Sequence, residues 1–387
     1  MARYLASRGH KVTVITEVPN HPSGIIPAHY RGKLSERKRE DGIDVLRLWV
    51  WTSPEKTFAS RMRFYLSYMG MSALAGALIK GRYDVVYATS PPLFVGVGGV
   101  VAALFKSIPF VFEVRDLWPE SAVALGELSN PRAIKAAEKV EMALYNRARR
   151  IVAVTEGIRD RLLKRGIPAD KMTLIPNGAN TELFRFDAEG AGRVRASQGL
   201  EDKMVVMYAG IHGIAQGLET LLRAADLLQA REDIVFVFVG EGPRKAELMR
   251  LKDEMGLRNV RFLSEVSSHR MPAYLSAADC AIVPLRDQPL FRGALPSKMF
   301  EAWACSRPVI LSVAGEAERV LAEAGGGIAV KPEDPSDMAA AILRLQENRS
   351  EGQVMGERGR RYVEQHYARK TQADKLEKLL QDILRRG

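Results

Sequence analysis

The chain is poor in several features that would mark other classes of protein. Only two cysteines, Cys280 and Cys305, occur in 387 residues. Both lie in apolar runs, which argues against a disulfide framework and for buried thiols in a reducing compartment. No uncharged apolar run reaches the ~18 residues of a membrane span. The longest, 64–79 and 91–105, are interrupted by glycine and read as core helices. The first residues show no pattern of a cleaved leader. Paired Cys/His spacings, an RNP-like aromatic strand and a basic zipper are all missing, so no nucleic-acid module is visible. Gly96, Gly98 and Gly99 fall inside an apolar run without a suitably placed acid downstream, which reads as close helix packing and disfavours a dehydrogenase. These gaps lead to the expectation of a soluble, cytoplasmic protein without a nucleic-acid partner.

What is present is a long, basic chain. Its length exceeds one usual hydrophobic core, so two domains of roughly 150–200 residues are expected. The net charge of +11 is unevenly placed: residues 1–195 hold 30 Lys and Arg against 19 Asp and Glu, and residues 196–387 hold 27 of each. A basic first half suits an anionic membrane surface or a lipid phosphate, with the protein peripheral on the inner face of the membrane.

The order of elements is α/β. Strand-like runs at 11–16, 45–51, 84–88, 109–114, 151–154 and 171–176 alternate with helical or glycine-rich stretches. The 84–88 run, DVVYA, is apolar on both faces and reads as a buried parallel strand. A polar, Gly-containing stretch at 189–199 suits a linker, and the grammar then restarts with strands at 204–209, 234–239, 260–263 and 280–284. The reading divides the chain into 1–188, 189–370 and a terminal helical segment, 371–387, that packs back toward the first domain. The chain also starts with a helix and then the 11–16 strand, one strand later than a doubly wound sheet normally begins.

Candidate ligand residues gather where such sheets bind ligands, at the carboxyl ends of strands. In the first half these are Ser90, the pair Arg115 and Asp116, and Glu156. In the second half, Gly210, His212, Gly213, Gln216 and Gly217 form a small-residue loop between a strand and a helix, an arrangement that presents backbone N–H groups to phosphate. Gly240 and Glu241 follow the next strand. The stretch GALPSKMFEAWACSRPVI, 293–310, opens a helix at Pro296 and Ser297, with Ser297 a candidate cap. Lys298 and Glu301 then share one face, and Met299, Phe300, Ala302, Trp303 and Ala304 supply the buried side. A cation, a carboxylate and a positive helix end side by side suit a phosphorylated, sugar-like ligand.

IPNGANTELF at 175–184, the glycine loop, VGEGP at 239–243 and the 296–308 helix, taken in this order, resemble glycosyltransferase family 4 over nearly the whole chain. RDLWPES at 115–121 and Pro296-Ser297-Lys298 are most similar to its WbuB-type members of O-antigen, capsule and exopolysaccharide assembly. The resemblance implies the GT-B fold, two Rossmann-like doubly wound domains facing a central cleft. It also implies retaining transfer from a nucleotide-diphosphate sugar, UDP favoured over GDP, to a polyprenyl-diphosphate-linked acceptor. Glu301 matches a glutamate that accepts ribose hydroxyl bonds, Lys298 a position near the diphosphate, and Val266 a backbone contact to the base. Asp116 is the expected catalytic carboxylate, acting as base or orienting the acceptor hydroxyl. Without an Asp-x-Asp sequence, charge at the diphosphate is expected to come from protein, with neither metal nor cofactor.

The departures are specific. Gly293 stands where the family places its other paired glutamate. The loop after Ala209 carries His212 and Gln216 in place of the common Arg and Lys, so His212 either bonds the diphosphate or serves the loop. A sugar-nucleotide 2-epimerase and a non-catalytic homologue remain as alternatives. They differ in what becomes of the donor: an isomer, or no turnover at all.

Overall fold

The computed structural model describes residues 1–20, 24–55 and 57–385. The sequence also leads to the expectation of an irregular Pro/Gly/His loop at 19–33 and of a basic end to the terminal helix at Arg385 and Arg386; of these, 21–23 and Arg386 lie outside the described residues. The chain divides into two compact units, Met1–Pro176 with Gln372–Gly387, and Asn177–Thr371.

The first unit contains α1 (Ala2–Ser7), β1 (Thr13–Glu17), β2 (Ser35–Glu40), β3 (Ile43–Leu48), α2 (Phe58–Leu78), β4 (Val86–Ser90) and α3 (Val95–Lys106). It continues with β5 (Phe110–Val114), α4 (Glu120–Ala124), α5 (Pro131–Arg147), β6 (Arg150–Ala153), α6 (Glu156–Lys164) and β7 (Met172–Leu174). Among the described residues these strands form two sheets, β1-β3-β2 and the all-parallel β4-β5-β6-β7. Strand β5, FVFEV, is buried at every position, as a central parallel strand must be. Strand β4 is flanked on one side only, and Val86 and Tyr87 are half-exposed. The expectation of a fully buried 84–88 strand is corrected accordingly.

The second unit holds α7 (Ala188–Gln198), β8 (Met204–Ala209), α8 (Glu219–Leu227), β9 (Ile234–Val239), α9 (Lys245–Glu254), β10 (Val260–Leu263) and α10 (Met271–Ala277). After these come β11 (Cys280–Pro284), α11 (Ser297–Ala304), β12 (Val309–Ser312), α12 (Glu316–Ala324), β13 (Gly327–Ala329), α13 (Pro335–Glu347) and α14 (Arg349–Tyr362). Its six parallel strands run β10-β9-β8-β11-β12-β13. The order therefore reverses between β8 and β11, the switch point at which doubly wound sheets bind ligands. The last helix, α15 (Arg369–Arg385), lays Leu376, Leu379 and Ile383 against Val111, Val152 and Ile175 of the first unit.

Two expectations fail, and one strand goes unread, for local reasons. Residues 189–199 are helix, not linker: Asp187 caps α7 by accepting from the Gly190 N–H at 2.9 Å, and a Cβ at Gly190 would lie 2.7 Å from Ala273. Gly190 is there for close packing on α10, while Gly199 ends the helix in a left-handed turn at φ +57. Strand β2, SERKRE, escapes a hydrophobicity reading because it is an antiparallel edge, where charge protects the unpaired side. The apolar runs forming α2 and α3 are not wholly core, since Leu74, Leu78, Leu104 and Phe105 are exposed. The glycines of α3 do serve packing: a Cβ at Gly96 would lie 2.6 Å from Leu144, and one at Gly99 2.7 Å from Phe110.

Candidate functional site

In the second unit the switch point is built by glycine. Gly210 follows β8 with φ +145, and a Cβ there would lie 2.2 Å from Lys298 Cε. A Cβ at Gly240, after β9, would lie 2.1 Å from the Gly210 carbonyl oxygen, and one at Gly242 2.4 Å from that of His212. The two strand-end loops thus interleave backbone on backbone. They are tied by the His212 N–H donating to Glu241 O at 2.9 Å and the Arg244 N–H to His212 O at 3.0 Å.

Lys298 lies across this floor. Its Nζ donates to Tyr208 Oη at 2.8 Å and sits 4.6 Å from that ring's centroid, while Tyr208 Oη donates to Ile211 O at 2.5 Å. Burial lowers the Lys298 ammonium to about 8, and Glu301 only partly opposes it. Glu301 is pushed above the usual carboxylate range by burial, with Arg369 and then Lys298 pulling it back. Helix α11 holds both residues rigidly. Its inner face is fully buried through Trp303, whose Nε1 donates to Gly326 O at 2.7 Å. Ser297 is the first helical residue and not the cap: Pro296 takes the cap position, and no side chain closes the first turn. That leaves the amino end of α11 without a side-chain cap, beside the half-buried ammonium of Lys298.

Burial favours the neutral form of His212. Its ring is wholly buried among Tyr208, Phe238 and Phe262, neither ring nitrogen has a hydrogen-bond partner, and burial, then Lys245, holds it down to about 4. Of the two roles expected for His212, a bond to the diphosphate or service to the loop, this packing favours the second, with the backbone of His212 tying the loops together. Glu241 is likewise engaged, with Lys245 Nζ at 2.7 Å; the same ammonium bonds Gly240 O and Leu263 O. Gln216 folds over Gly213, its Oε1 2.6 Å from where a Cβ would stand, and Gly217 turns the chain at φ +57. Val266 is half-buried against the core beneath this sheet. Gly293 ends a short 3₁₀ turn and presents no carboxylate.

In the first unit, Asp116 follows β5. Ser121 Oγ donates to its Oδ2 at 2.7 Å, and burial raises its carboxyl while Ser121 and the Leu117 N–H oppose the rise. Its loop carries Trp118, edge-on to Phe94 at 5.5 Å, with Tyr65 beyond. Arg115 is exposed on the same loop. Ser90 is buried and donates to Glu113 O at 3.3 Å, so its acceptor-side role is withdrawn in favour of a structural one. Glu156 opens α6 beside Thr155, which caps it by accepting from the Ile158 N–H at 3.0 Å.

Tyr208, Lys245 and Arg286 were missed from sequence. Tyr208 sits in a strand and reads as core. Arg286 pins the glycine loop through Ile214 O at 2.8 Å and reaches Glu219 and Glu333, contacts with no local signature.

Residues 1–178 match the glycosyl transferase 4-like domain, and residues 192–362 match the glycosyl transferases group 1 domain. With one of these matches on each of the two units, the chain is a glycosyltransferase of GT-B fold. It is 26% identical over 356 residues to WcaI of Escherichia coli, assigned to colanic acid biosynthesis as a glycosyl transferase, covering 88% of this chain and 86% of that one. It is 27% identical to a GDP-mannose-dependent phosphatidylinositol monomannoside mannosyltransferase of Mycolicibacterium smegmatis, over 59% of this chain and 61% of that one. The fold matches HepE of Anabaena, solved with UDP-glucose, at a TM-score of 0.73 and 17% identity, covering 96% of this chain and all of that one.

Proposed function

We propose that this glycosyltransferase moves a sugar, with retained configuration, from a UDP-sugar to a lipid-linked glycan acceptor in surface polysaccharide assembly. The observation that carries the donor reading is Lys298, half-buried and lying over Gly210 at the switch point with Glu301 one turn away. Glu301 accepts ribose hydroxyl bonds, since among the described residues its carboxylate makes no side-chain hydrogen bond of its own. The likeness to WcaI supports the surface-polysaccharide role, and the UDP-glucose complex of HepE supports a UDP-sugar.

In the transfer, the bond from the sugar's anomeric carbon to the β-phosphate oxygen breaks, and its electron pair leaves on the nucleoside diphosphate. The acceptor oxygen bonds to that carbon, and Asp116 takes or orients the hydroxyl proton. A carboxyl whose affinity for protons is raised by burial suits that task. Charge growing on the diphosphate meets the Lys298 ammonium and the backbone N–H groups of the glycine loop, donors already in place before reaction. The reading needs no metal, so full activity is expected in excess chelator. Activity lost to chelator and restored by Mg²⁺ or Mn²⁺ overturns that part.

A thermal-shift comparison of UDP with GDP tests the donor. UDP raises the melting temperature and GDP does so less; the reverse order refutes the UDP assignment.

A further inference from the structure

The outer side of the first unit carries an apolar face that its own core does not use. Helix α2 has 21 residues, no acid, and only Arg61 and Arg63 as charges; in α3 the only charge is Lys106. Along α2, Leu66, Gly70, Leu74 and Leu78 recur at every fourth residue and all are exposed, Leu78 at 68%. That spacing places them on one stripe. Helix α3 packs against α2 almost backbone to backbone: a Cβ at Gly76 would lie 2.6 Å from that of Ala102, and one at Gly98 2.4 Å from Ser72 Oγ. Those two pairings keep the helices parallel and bring Leu104 and Phe105, 53% and 72% exposed, to the same end as Leu78. Lys106 Nζ bridges that end, donating to Ile79 O at 2.6 Å.

Cations gather beyond these tips. Arg147, Arg149 and Lys171 line a cavity of about 950 Å³ with Leu104, Ile108 and Leu384, and Leu384 is itself 46% exposed. Lys80 and Arg82 follow α2 directly. A contiguous exposed apolar face is uncommon on a monomeric protein and marks an interaction site. Here cations outnumber acids at its end, where Arg147, Arg149, Arg150 and Lys171 stand against Asp170 in that lining, in the half of the chain that holds the whole excess of +11. No helix among the described residues is long and apolar enough to cross a membrane.

We propose that the outer face of α2 and α3 lies on an anionic lipid bilayer, with Leu74, Leu78, Leu104 and Phe105 entering the interface and the Arg and Lys cluster meeting lipid phosphates. Apolar side chains partition into the acyl boundary, and each nearby cation adds attraction to the negative surface. This rests on the reading of the acceptor as lipid-linked, and gives the enzyme a fixed footing where such an acceptor resides. A water-soluble acceptor would not need this face.

The test is co-sedimentation of the full chain with vesicles of phosphatidylcholine alone or mixed with phosphatidylglycerol. Two variants accompany it: Leu74→Ser/Leu78→Ser/Phe105→Ser and Arg147→Glu/Arg149→Glu. The wild type is expected to partition onto phosphatidylglycerol vesicles, with each variant reduced about tenfold or more and its UDP-induced melting shift unchanged. Wild-type binding that both variants retain overturns this face and leaves the lipid-linked acceptor standing. Wild type that sediments with neither vesicle overturns both. A lipid-free wild-type dimer by light scattering that the serine variant makes monomeric assigns the face to a second copy and overturns the proposal.

Discussion

Raising the pH from 7 to 9 weakens donor binding about tenfold if Lys298 holds the diphosphate as a cation. Burial sets its ammonium at about 8, so it is about 90% charged at pH 7 and about 10% charged at pH 9. A donor that needs the charged form loses affinity in that proportion, and calorimetric titration with UDP across this range reads it directly. The same geometry constrains stability. A fall from 10.5 to about 8 corresponds to about 3 kcal/mol of unfavourable charge burial in the free protein. Between those two values the unfolded chain holds the proton and the folded chain does not. This lysine therefore makes stability rise with pH across the window, with the charge burial felt in full below it. Lys298→Met removes the charge while Tyr208 Oη keeps its bond to Ile211 O. The variant is expected to melt no lower than wild type at pH 7, to lose the pH-dependent gain, and to bind UDP at least tenfold more weakly. Donor affinity that is flat from pH 7 to 9, or a variant that melts far below wild type, refutes the reasoning.

Other outcomes follow from the same geometry. Glu301→Ala weakens UDP binding more than any other single change in 293–310, by about 2 kcal/mol or thirtyfold for a lost charged hydrogen-bond acceptor; a larger loss at Lys298→Ala would put the diphosphate ahead of the ribose. Asp116→Asn lowers turnover on the order of a hundredfold with donor affinity retained, read as kcat against the donor dissociation constant; unchanged turnover leaves Asp116 only its bond to Ser121.

The α/β alternation was legible because parallel strands buried on both faces are written as short apolar runs: 204–209, 234–239 and 280–284 stand as strands at those same bounds, as does the half-buried edge strand 260–263. The amphipathic pattern of 297–304 also set out its buried face, since a helix that anchors Trp303 must repeat apolar residues on one side. What one side chain does once its neighbours arrive was not legible. His212 read as either a diphosphate ligand or a loop residue, and Lys298 as a cation near phosphate. Packing among three aromatic rings neutralised the first, while the second kept a hydroxyl partner and an open floor of glycine. Charge state depends on desolvation, and desolvation is a property of the assembled environment. The same holds for α2 and α3. Composition marked them as apolar, but only the sheet and the glycine-tight helix pair decided which apolar residues went inward and which stayed on the surface.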